Sequence, residues 1–363
     1  MKPIDSQTTD SQHNGFDIVI GNPPYGAKLT EKEKKQYKQT YSISTSNTAQ
    51  FFIIMAHRLL AYKGINTFIV PKSLIYVKSW KPLRDFIQDS LYLLVDCSRA
   101  FENANLEMVI YGVSNNVKHL TYENFCFNTE SIYAINHIHK DIIKAFDFFP
   151  NNLNSTCINL GLKIRYIGNT LNGNHTNSRG VTYQQNLLES GKYPFIGGKE
   201  ISRYNIKNIK GFTNTLINIP QQAFIKEHSL LVQNIVTEKH IVALLPTDKK
   251  YYLLDTINQL TFKNLDIRLM WAILNSTLIN WYINQFIFAG AKMTMHLDSP
   301  ATNKIPIPKI DSDNEDIAEK IITLVDSRDS CSNKGELESA IDSLVYALYN
   351  LTESEIQIIQ GSE

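Results

Sequence analysis

Residues 16–25 have the sequence Phe-Asp-Ile-Val-Ile-Gly-Asn-Pro-Pro-Tyr, an apolar run that ends in glycine and continues into two prolines and a tyrosine. Such a run predicts a short buried strand that leads into a tight loop. Pro23 and Pro24 fix two successive φ angles and keep Asn22 out of the α region. The stretch therefore predicts a strand over residues 16–21 followed by a stiff loop over residues 22–25.

The residues of this loop suit a particular chemistry. A stiff loop can present the amide oxygen of Asn22 and the carbonyl oxygen of Pro23 at defined positions. Two convergent acceptors can bind both hydrogens of a planar exocyclic amine, and the ring of Tyr25 offers a face on which a base can stack. Methylation of the amino group of a flipped-out base needs these groups. The alternative for an Asn-Pro-Pro sequence is a proline-stiffened turn that caps a strand.

Predicted strands and helices alternate after the loop. Residues 49–62 predict a helix that stops at Lys63-Gly64, a common C-terminal signal, and residues 80–89 predict another helix. The predicted strands cover residues 65–71, 91–96 and 108–113. This alternation predicts an α/β domain with a mostly parallel sheet and flanking helices.

Residues 16–26 and the order of elements after them resemble adenine-specific DNA methyltransferases, in particular the TaqI-like modification enzymes and the fused type IIG restriction–modification proteins. The resemblance implies a partial Rossmann-like methyltransferase domain that uses S-adenosylmethionine. It also implies that an aromatic side chain covers the far side of the target adenine, and Phe101 is the matching residue. The alternative for Phe101 is an ordinary core position. The catalytic residues that the resemblance implies are Asn22, Pro23, Pro24 and Tyr25.

The methyl-donor site of such enzymes is not apparent in the sequence. In this family a Gly-rich loop after the first strand and an acidic residue after the second precede the Asn-Pro-Pro-Tyr motif. Here 21 residues precede Asn22, and residues 1–14 are polar and irregular. Gly21 and Asn22 are thus expected to form only a partial cofactor site. We expect the C-terminal part of a methyltransferase: a split enzyme completed by a separate chain, a truncated gene product or a fragment. Its incomplete sheet should expose an open edge and an apolar face.

The formal net charge of +1 conceals a strong asymmetry along the chain. Residues 161–300 contain 15 Lys and Arg against 8 Asp and Glu, an excess of seven positive charges. Residues 311–363 contain 3 against 13, an excess of ten negative charges. A basic region is typical of proteins that bind nucleic acid, so the middle region predicts binding to double-stranded DNA. A chance asymmetry on a solvated surface is the alternative.

Three domains are expected. Residues 1–150 would be the C-terminal half of a methyltransferase catalytic domain, because residues 148–155 have the Pro and Asn content of a linker. Residues 151–310 resemble the TaqI-like specificity domain, with strands near 230–233 and 251–254 and a long helix beginning near residue 264. This α+β domain would recognise DNA, and residues 311–363 would form an acidic helical tail. The candidate DNA contacts are Lys199, Arg203, Lys207 and Lys292.

Other classes of protein are disfavoured. The four cysteines are widely separated and form neither a zinc template nor a secreted disulfide framework. His137 and His139 lack a third ligand nearby in sequence, so no metal site is expected. No signal peptide opens the chain, and residues 265–289 include Asp266 and Arg268, which fits a core helix better than a membrane span. The simplest prediction is a cytoplasmic protein with no membrane partner.

Together these observations predict a site-specific adenine DNA methyltransferase of a restriction–modification system. The isolated chain is expected to be inactive without the donor-binding half. The main alternative is a non-catalytic DNA-binding specificity module or an inactive remnant of such an enzyme. Related Asn-Pro-Pro-Tyr enzymes methylate RNA or a protein glutamine, although a protein-glutamine methyltransferase would not need a basic recognition region.

Overall fold

The computed structural model divides the chain into two compact units. The first comprises the described residues up to Ser155 together with Ala289–Ala291, and the second comprises those of Thr156–Phe288 and from Lys292 onward. The described residues are 15–26, 29–41, 47–98, 100–101, 106–127, 131–236, 240–246, 250–292 and 295–361.

Strands and helices alternate in the first unit up to residue 91, as the sequence predicts, and four strands then follow with no described helix between them. Its strands are β1 (Phe16–Gly21), β2 (Leu60–Pro71), β3 (Leu91–Ser98), β4 (Met108–Ser114), β5 (Thr121–Phe127) and β6 (Ile132–His139). Its helices are α1 (Glu31–Tyr41), α2 (Thr48–Arg58), α3 (Ser73–Tyr76), α4 (Lys81–Ile87) and α5 (Asp141–Phe146).

The six strands form one sheet in the order β1-β2-β4-β3-β5-β6. The β1–β2 and β3–β5 pairs are parallel, whereas β4 is antiparallel to both β2 and β3, and β6 is antiparallel to β5. Four strands therefore point one way and two the other. The predicted α/β class is confirmed, but the sheet is mixed and not mostly parallel, because two of its five strand pairs are parallel and three are antiparallel.

The strand β1 has the predicted bounds but is not buried. Within the described residues it pairs with β2 alone, so its other edge is open. The side chains of Phe16, Ile18 and Ile20 point to one face of the sheet and are 59, 63 and 76% exposed. The prediction of a buried strand was wrong because β1 lies at the edge of the sheet and no described element covers the face that carries these three side chains. The expected open edge and exposed apolar side chains are both present.

The segment around Gly64 also differs from the prediction. The helix α2 ends at Arg58 and β2 begins at Leu60, so Gly64 lies inside a strand and does not end a helix. The β1–β2 register shifts between Phe16 and Ile18, which marks a bulge. A Cβ atom at Gly64 would lie 2.6 Å from the carbonyl oxygen of Phe16. Glycine is therefore required there because β1 approaches the backbone closely.

Buried side chains fill the other face of the sheet. Phe68 and Val70 alternate with more exposed residues along β2, as expected for a strand with one covered face. Arg84 of α4 is buried and donates hydrogen bonds to the carbonyl oxygens of Leu74 (3.1 Å) and Val77 (2.8 Å). Burial lowers the pKa of this guanidinium to about 10. Arg84 thus fastens α4 to the segment that follows β2.

The second unit contains shorter strands and more helices. Its strands are β7 (Gly168–Thr170), β8 (His175–Arg179), β9 (Tyr193–Ile196), β10 (Gly211–Thr213), β11 (Ser229–Gln233), β12 (Ile235–Val236), β13 (Ala243–Leu244), β14 (Tyr252–Leu253), β15 (Ile257–Phe262), β16 (Met295–His296) and β17 (Pro306–Pro308). Its helices are α6 (Ser155–Arg165), α7 (Ile267–Asn275), α8 (Thr277–Tyr282), α9 (Ser299–Thr302), α10 (Glu315–Asp326), α11 (Lys334–Leu348) and α12 (Glu353–Gln360).

Two small sheets organise this unit. One has the order β13-β11-β15-β8 and the other β10-β9-β14, and two further strand pairs join β12 to β16 and β17 to β7. Ile196, Leu231, Leu253 and Ile257 belong to one buried cluster between these strands. The strands and helices together give the α+β arrangement that was predicted for this part of the chain.

The predicted long helix near residue 264 is instead two helices. Ser276 has a ψ of 150°, which breaks the helical path between α7 and α8. Its hydroxyl accepts a hydrogen bond from the backbone N–H of Ile279 at 3.2 Å, so Ser276 caps the second helix. A π-helical turn, Ile283–Ile287, follows α8.

The acidic tail is helical and packs within the second unit. The hydroxyl of Tyr349 donates to the carbonyl oxygen of Pro306 at 2.9 Å. The carboxylate of Asp342 accepts hydrogen bonds from Thr277, from its backbone N–H at 3.0 Å and from its hydroxyl at 2.6 Å. Burial nevertheless raises the pKa of Asp342. These contacts explain why the tail groups with the second unit.

Candidate functional site

The Asn-Pro-Pro-Tyr loop starts where β1 ends. Pro23 is buried, Asn22 and Pro24 are exposed, and Tyr25 is half-buried. The hydroxyl of Thr48, at the start of α2, donates to the carbonyl oxygen of Pro24 at 2.6 Å. Gly26 has a φ of 90°, a conformation that favours glycine, where the chain leaves the loop. The loop is thus fixed at both ends.

A buried amide fastens β1 to the rest of the sheet. Asn66 of β2 is fully buried, and its Nδ2 donates to the carbonyl oxygen of Val19 at 3.0 Å. The hydroxyl of Tyr111 on β4 donates in turn to Oδ1 of Asn66. Burial raises the pKa of Tyr111 well above its usual value, so this hydroxyl stays protonated. The chain of hydrogen bonds fixes the strand that carries the loop.

The two predicted acceptors have no partner in the described part of the chain. No described donor bonds to the side chain of Asn22 or to the carbonyl oxygen of Pro23. The neighbouring carbonyl of Pro24 is by contrast occupied by Thr48. Within the described residues, two oxygens at the end of β1 therefore have no hydrogen-bond donor.

The structure brings Tyr25 close to the segment that carries Phe101. Tyr25 packs against the buried cluster of Val95, Cys97 and Met108, and Ala100 packs against the same cluster. Phe101 follows Ala100 directly and is 36% exposed. An ordinary core position, the alternative for Phe101, does not fit this exposure. Tyr25 and the residue directly before Phe101 thus pack on one cluster beside the loop.

Sequence reasoning missed a group of charged residues behind this cluster. Lys72, Asp96 and Glu107 are all buried, and the Lys72 ammonium lies 2.8 Å from Asp96. The sequence feature that could have drawn attention to this group is Lys72, a charged residue directly after Pro71 at the end of β2. Asp96 is 24 residues further along the chain, so only the fold shows that they meet.

The described residues fit S-adenosylmethionine only in part. Gly21 is exposed at the carboxyl end of β1, beside Asn22, where a ligand of an α/β sheet normally binds. A Gly-rich loop between a strand and a helix N-terminus is not found among the strand–helix junctions that the structure describes before β1 or along β1–β6. The residues present would form one side of a donor site.

Three of the residues predicted to contact DNA are exposed lysines of the second unit, and a fourth lysine nearby in sequence is also exposed. Lys199, Lys207 and Lys292 are exposed, as is Lys210, which the sequence analysis did not single out. No described carboxylate lies within ion-pair distance of Lys199, Lys207 or Lys210. Their positive charge is therefore uncompensated within the described surface.

A cavity of about 270 Å³ lies beside these lysines, and Lys199 and Lys210 line it. Its wall includes Gly198, whose backbone N–H donates to the hydroxyl of Thr256 at 2.9 Å. The side-chain amide of Gln233 donates to the carbonyl oxygen of Gly198 at 2.5 Å. The turn that carries Lys199 is thus held rigidly at the cavity wall.

Arg203 has a different environment from the lysines. Its guanidinium lies 3.1 Å from the carboxylate of Glu338 in the acidic tail. The hydroxyl of Tyr204 also donates to Glu338, at 2.7 Å. Arg203 therefore braces α11 in this structure, which ranks it behind the lysines as a DNA contact.

The described part of the chain shows neither a metal-binding cluster nor a membrane-spanning helix. Among the described residues, no group of three His, Cys, Asp or Glu side chains could hold a metal ion. His137 and His139 lie on β6, where Nδ1 of His139 is 3.3 Å from Asp141. None of the helices that the structure describes is long and apolar enough to span a bilayer.

Comparison with protein families identifies two segments. Residues 2–101 match the Eco57I restriction-modification methylase model, and residues 193–307 match the TaqI-like C-terminal specificity domain. The type II restriction enzyme and methyltransferase RM.Eco57I of Escherichia coli is 33% identical over 85 residues, which are 22% of this chain and 8% of that protein. The chain thus spans less than a tenth of this relative.

One solved structure shares the overall fold of this chain, and a second resembles it more weakly. The type IIL restriction-modification enzyme MmeI, solved in complex with DNA, matches 93% of this chain and 55% of its own chain, with a TM-score of 0.59 and 13% identity. The type IIG restriction endonuclease BpuSI matches 92% of this chain and 54% of its own, with a TM-score of 0.36 and 11% identity. The resemblance to restriction–modification methyltransferases is confirmed for two segments: residues 2–101 match the Eco57I methylase model, and residues 193–307 match the TaqI-like specificity domain.

Proposed function

We propose that this chain supplies the catalytic loop and the recognition domain of an adenine-specific DNA methyltransferase. One observation carries the proposal: the exposed Asn22 and the Pro23 carbonyl present unsatisfied acceptors beside Tyr25, within the segment that matches the methylase family. Transfer of a labelled methyl group to the exocyclic amine of adenine in duplex DNA, by the assembled enzyme, tests it.

In this proposal the loop acts by orientation and polarisation. S-adenosylmethionine, when bound, supplies an electrophilic methyl group. Asn22 and Pro23 accept both hydrogens of the adenine amine, which aligns the nitrogen and keeps electron density on it as the new bond forms. The amine becomes acidic only after it has gained the methyl group, so its proton can leave afterwards. No strong general base is then needed before attack.

Tyr25 and Phe101 would hold the flipped base between two rings. Replacing either one by alanine should weaken capture of the base by roughly 1–3 kcal/mol, because each variant loses one stacking face. Fluorescence of an adenine analogue in duplex DNA measures this. Because Tyr25 also packs on Val95 and Cys97, its variant needs a check of the unfolding midpoint. Unchanged capture in a folded Phe101→Ala variant would remove Phe101 from the site.

The second unit would recognise double-stranded DNA. The match to the specificity domain and the excess positive charge of residues 161–300 support this role. Lys199, Lys207 and Lys210 are the best candidates for phosphate contacts, because they are exposed and no described carboxylate pairs with them. Lys292 is a further exposed candidate.

Salt dependence separates these lysines from Arg203. Alanine at Lys199, Lys207 or Lys210 should each reduce the slope of log K against log salt concentration by about 0.9 if the lysine contacts a phosphate. Arg203→Ala should lower the thermal unfolding midpoint, because the change breaks the ion pair with Glu338. It should change the salt slope less than the lysine variants do. Lys320, which pairs with Asp316 at 3.1 Å on α10, is the matched control. Equal slopes in the lysine variants and the control would contradict the assignment.

We further infer that a donor-binding half, supplied by a separate chain, completes the enzyme at β1. The open edge offers unpaired backbone groups for another parallel strand, and Phe16, Ile18 and Ile20 offer apolar surface next to it. Exposed apolar patches of this kind are typical of interaction sites. The non-catalytic specificity module remains the alternative, and it predicts DNA binding without any methyl transfer.

A further inference from the structure

Lys72 occupies an unusual place at the end of β2. Its side chain is 5% exposed, and its ammonium lies 2.8 Å from Asp96 and 3.8 Å from Glu107. The backbone N–H of Lys72 also donates to the carbonyl oxygen of Glu107 at 2.8 Å. One residue therefore contacts two buried acids through both its main chain and its side chain.

The two acids stand on either side of Phe101 in the sequence. Asp96 lies near the end of β3, five residues before Phe101, and Glu107 lies directly before β4, six residues after it. Lys72 thus links the end of β3, which precedes Phe101, to the start of β4, which follows it.

Asp96 also shapes the backbone ahead of Phe101. The β3–β4 register shifts between Asp96 and Ser98, which marks a bulge. Ser98 has a φ of 45°, an uncommon conformation for a residue other than glycine. Its backbone N–H donates to Oδ1 of Asp96 at 2.9 Å, while Oδ2 of the same carboxylate faces Lys72. Bulges near active sites commonly redirect the chain.

We propose that Lys72 and Asp96 form a positioning pair that sets where Phe101 stands against the target base. The inference rests on the proposed adenine-binding site. Lys72 fixes one oxygen of Asp96, the other oxygen fixes the strained turn at Ser98, and that turn starts the segment leading to Phe101.

The same pair supports the cluster on which Tyr25 packs. Cys97 lies between Asp96 and Ser98, and Met108 follows Glu107, and both belong to the cluster on which Tyr25 packs. Burying charged groups is costly, and a buried ion pair is often no more stabilising than apolar residues of the same volume. The presence of a buried ion pair here is therefore better explained by its effect on the positions of nearby residues than by its contribution to stability alone.

Cys97 is a built-in reporter of this geometry. It is 4% exposed, and burial, with a contribution from Asp96, raises its pKa to about 11. Its alkylation at pH 8 should therefore be slow. The variant Lys72→Met, made in the full chain, keeps the Asp96 charge and should speed this reaction about tenfold by loosening the bulge. In Asp96→Asn the loss of the neighbouring charge adds to that effect, because Asp96 contributes to the raised pKa of Cys97. Cys331, in the second unit, should react at its original rate.

Base capture is the second measurement. The probe is a duplex with one unpaired 2-aminopurine, which needs no target sequence to leave the helix. Lys72→Met and Asp96→Asn should weaken capture about tenfold, as Phe101→Ala should. Lys81→Met, which removes the exposed pairs with Asp85 and Asp147, is the control and should change neither measurement.

Each outcome is decisive. Faster Cys97 alkylation together with weaker capture supports the positioning role. Wild-type capture in both variants overturns it, whether or not Cys97 becomes more reactive, provided that Phe101→Ala weakens capture. Capture that is absent in the wild-type chain contradicts the proposed base site, and the Cys97 rates alone then decide whether Lys72 holds the bulge. Asp96→Asn keeps an acceptor for Ser98 and decides the matter if Lys72→Met does not fold.

Discussion

Asn22→Ala should lower methyl transfer by about 10²–10³-fold in the assembled enzyme, because it removes one of two preorganised acceptors for the reacting amine. Binding to duplex DNA should remain nearly unchanged, since the proposed phosphate contacts lie in the second unit. Single-turnover transfer of a labelled methyl group measures the first quantity, and a titration with duplex DNA measures the second.

Two controls make this result specific to Asn22. Cys97 should keep its slow alkylation in the variant, which shows that Tyr25 still covers the cluster beneath it. Asn22→Asp keeps the acceptor oxygens but adds a charge, so it should retain more activity than alanine. Near-normal turnover of Asn22→Ala would remove Asn22 from the reaction, even if the enzyme proved to be an adenine methyltransferase.

The isolated chain should bind S-adenosylmethionine much more weakly than 1 μM, which corresponds to about −8 kcal/mol. Only Gly21 and Asn22 would contact the donor, because the described residues form one side of the site. Adding a partner chain that carries the strand–Gly-loop–helix should restore both donor binding and methyl transfer. Titration calorimetry, with and without the partner, measures this difference. Micromolar binding by the chain alone would mean that other residues build the donor site.

A charge on the open face of β1 tests where that partner binds. Ile20→Glu should prevent assembly, because Ile20 is 76% exposed on the proposed interface and a buried unpaired carboxylate is costly. Ile217→Glu is the matched control, since Ile217 is 77% exposed in the second unit. Equal loss of assembly in both variants would indicate a non-specific effect, and unchanged assembly in Ile20→Glu would place the interface elsewhere.

Local sequence predicted the bounds of β1 well but not its surroundings. The bounds of β1 follow from the apolar run before Asn22, whereas its exposure depends on which strands lie beside it. Lys63-Gly64 was interpreted as a helix end, and Lys63 does have the left-handed φ of 62° that such ends favour. The Lys-Gly pair instead marks a bulge in β2, where the absence of a side chain at Gly64 makes room for the carbonyl oxygen of Phe16.

The ion pairs that sequence reasoning missed join residues that are far apart along the chain. Lys72 and Asp96 are 24 residues apart, and Arg203 and Glu338 are 135 apart. Neither pair has a local pattern, because each depends on how strands and helices pack. The loop that carries Asn22 and Tyr25 could be predicted from sequence, since a stiff loop after a strand is a local feature. Lys210 could have been found with Lys199 and Lys207 as a basic cluster.

Nucleoside analysis of methylated DNA tests the central proposal most directly. Duplex DNA would be incubated with labelled S-adenosylmethionine, this chain and a partner chain carrying the donor-binding half, and then digested and separated by mass. We expect label in N6-methyladenine, and a loss of about 10²–10³-fold with the Asn22→Ala variant. Label in a cytosine derivative or in a protein glutamine, or no label although the assembled complex binds both donor and DNA, would contradict it.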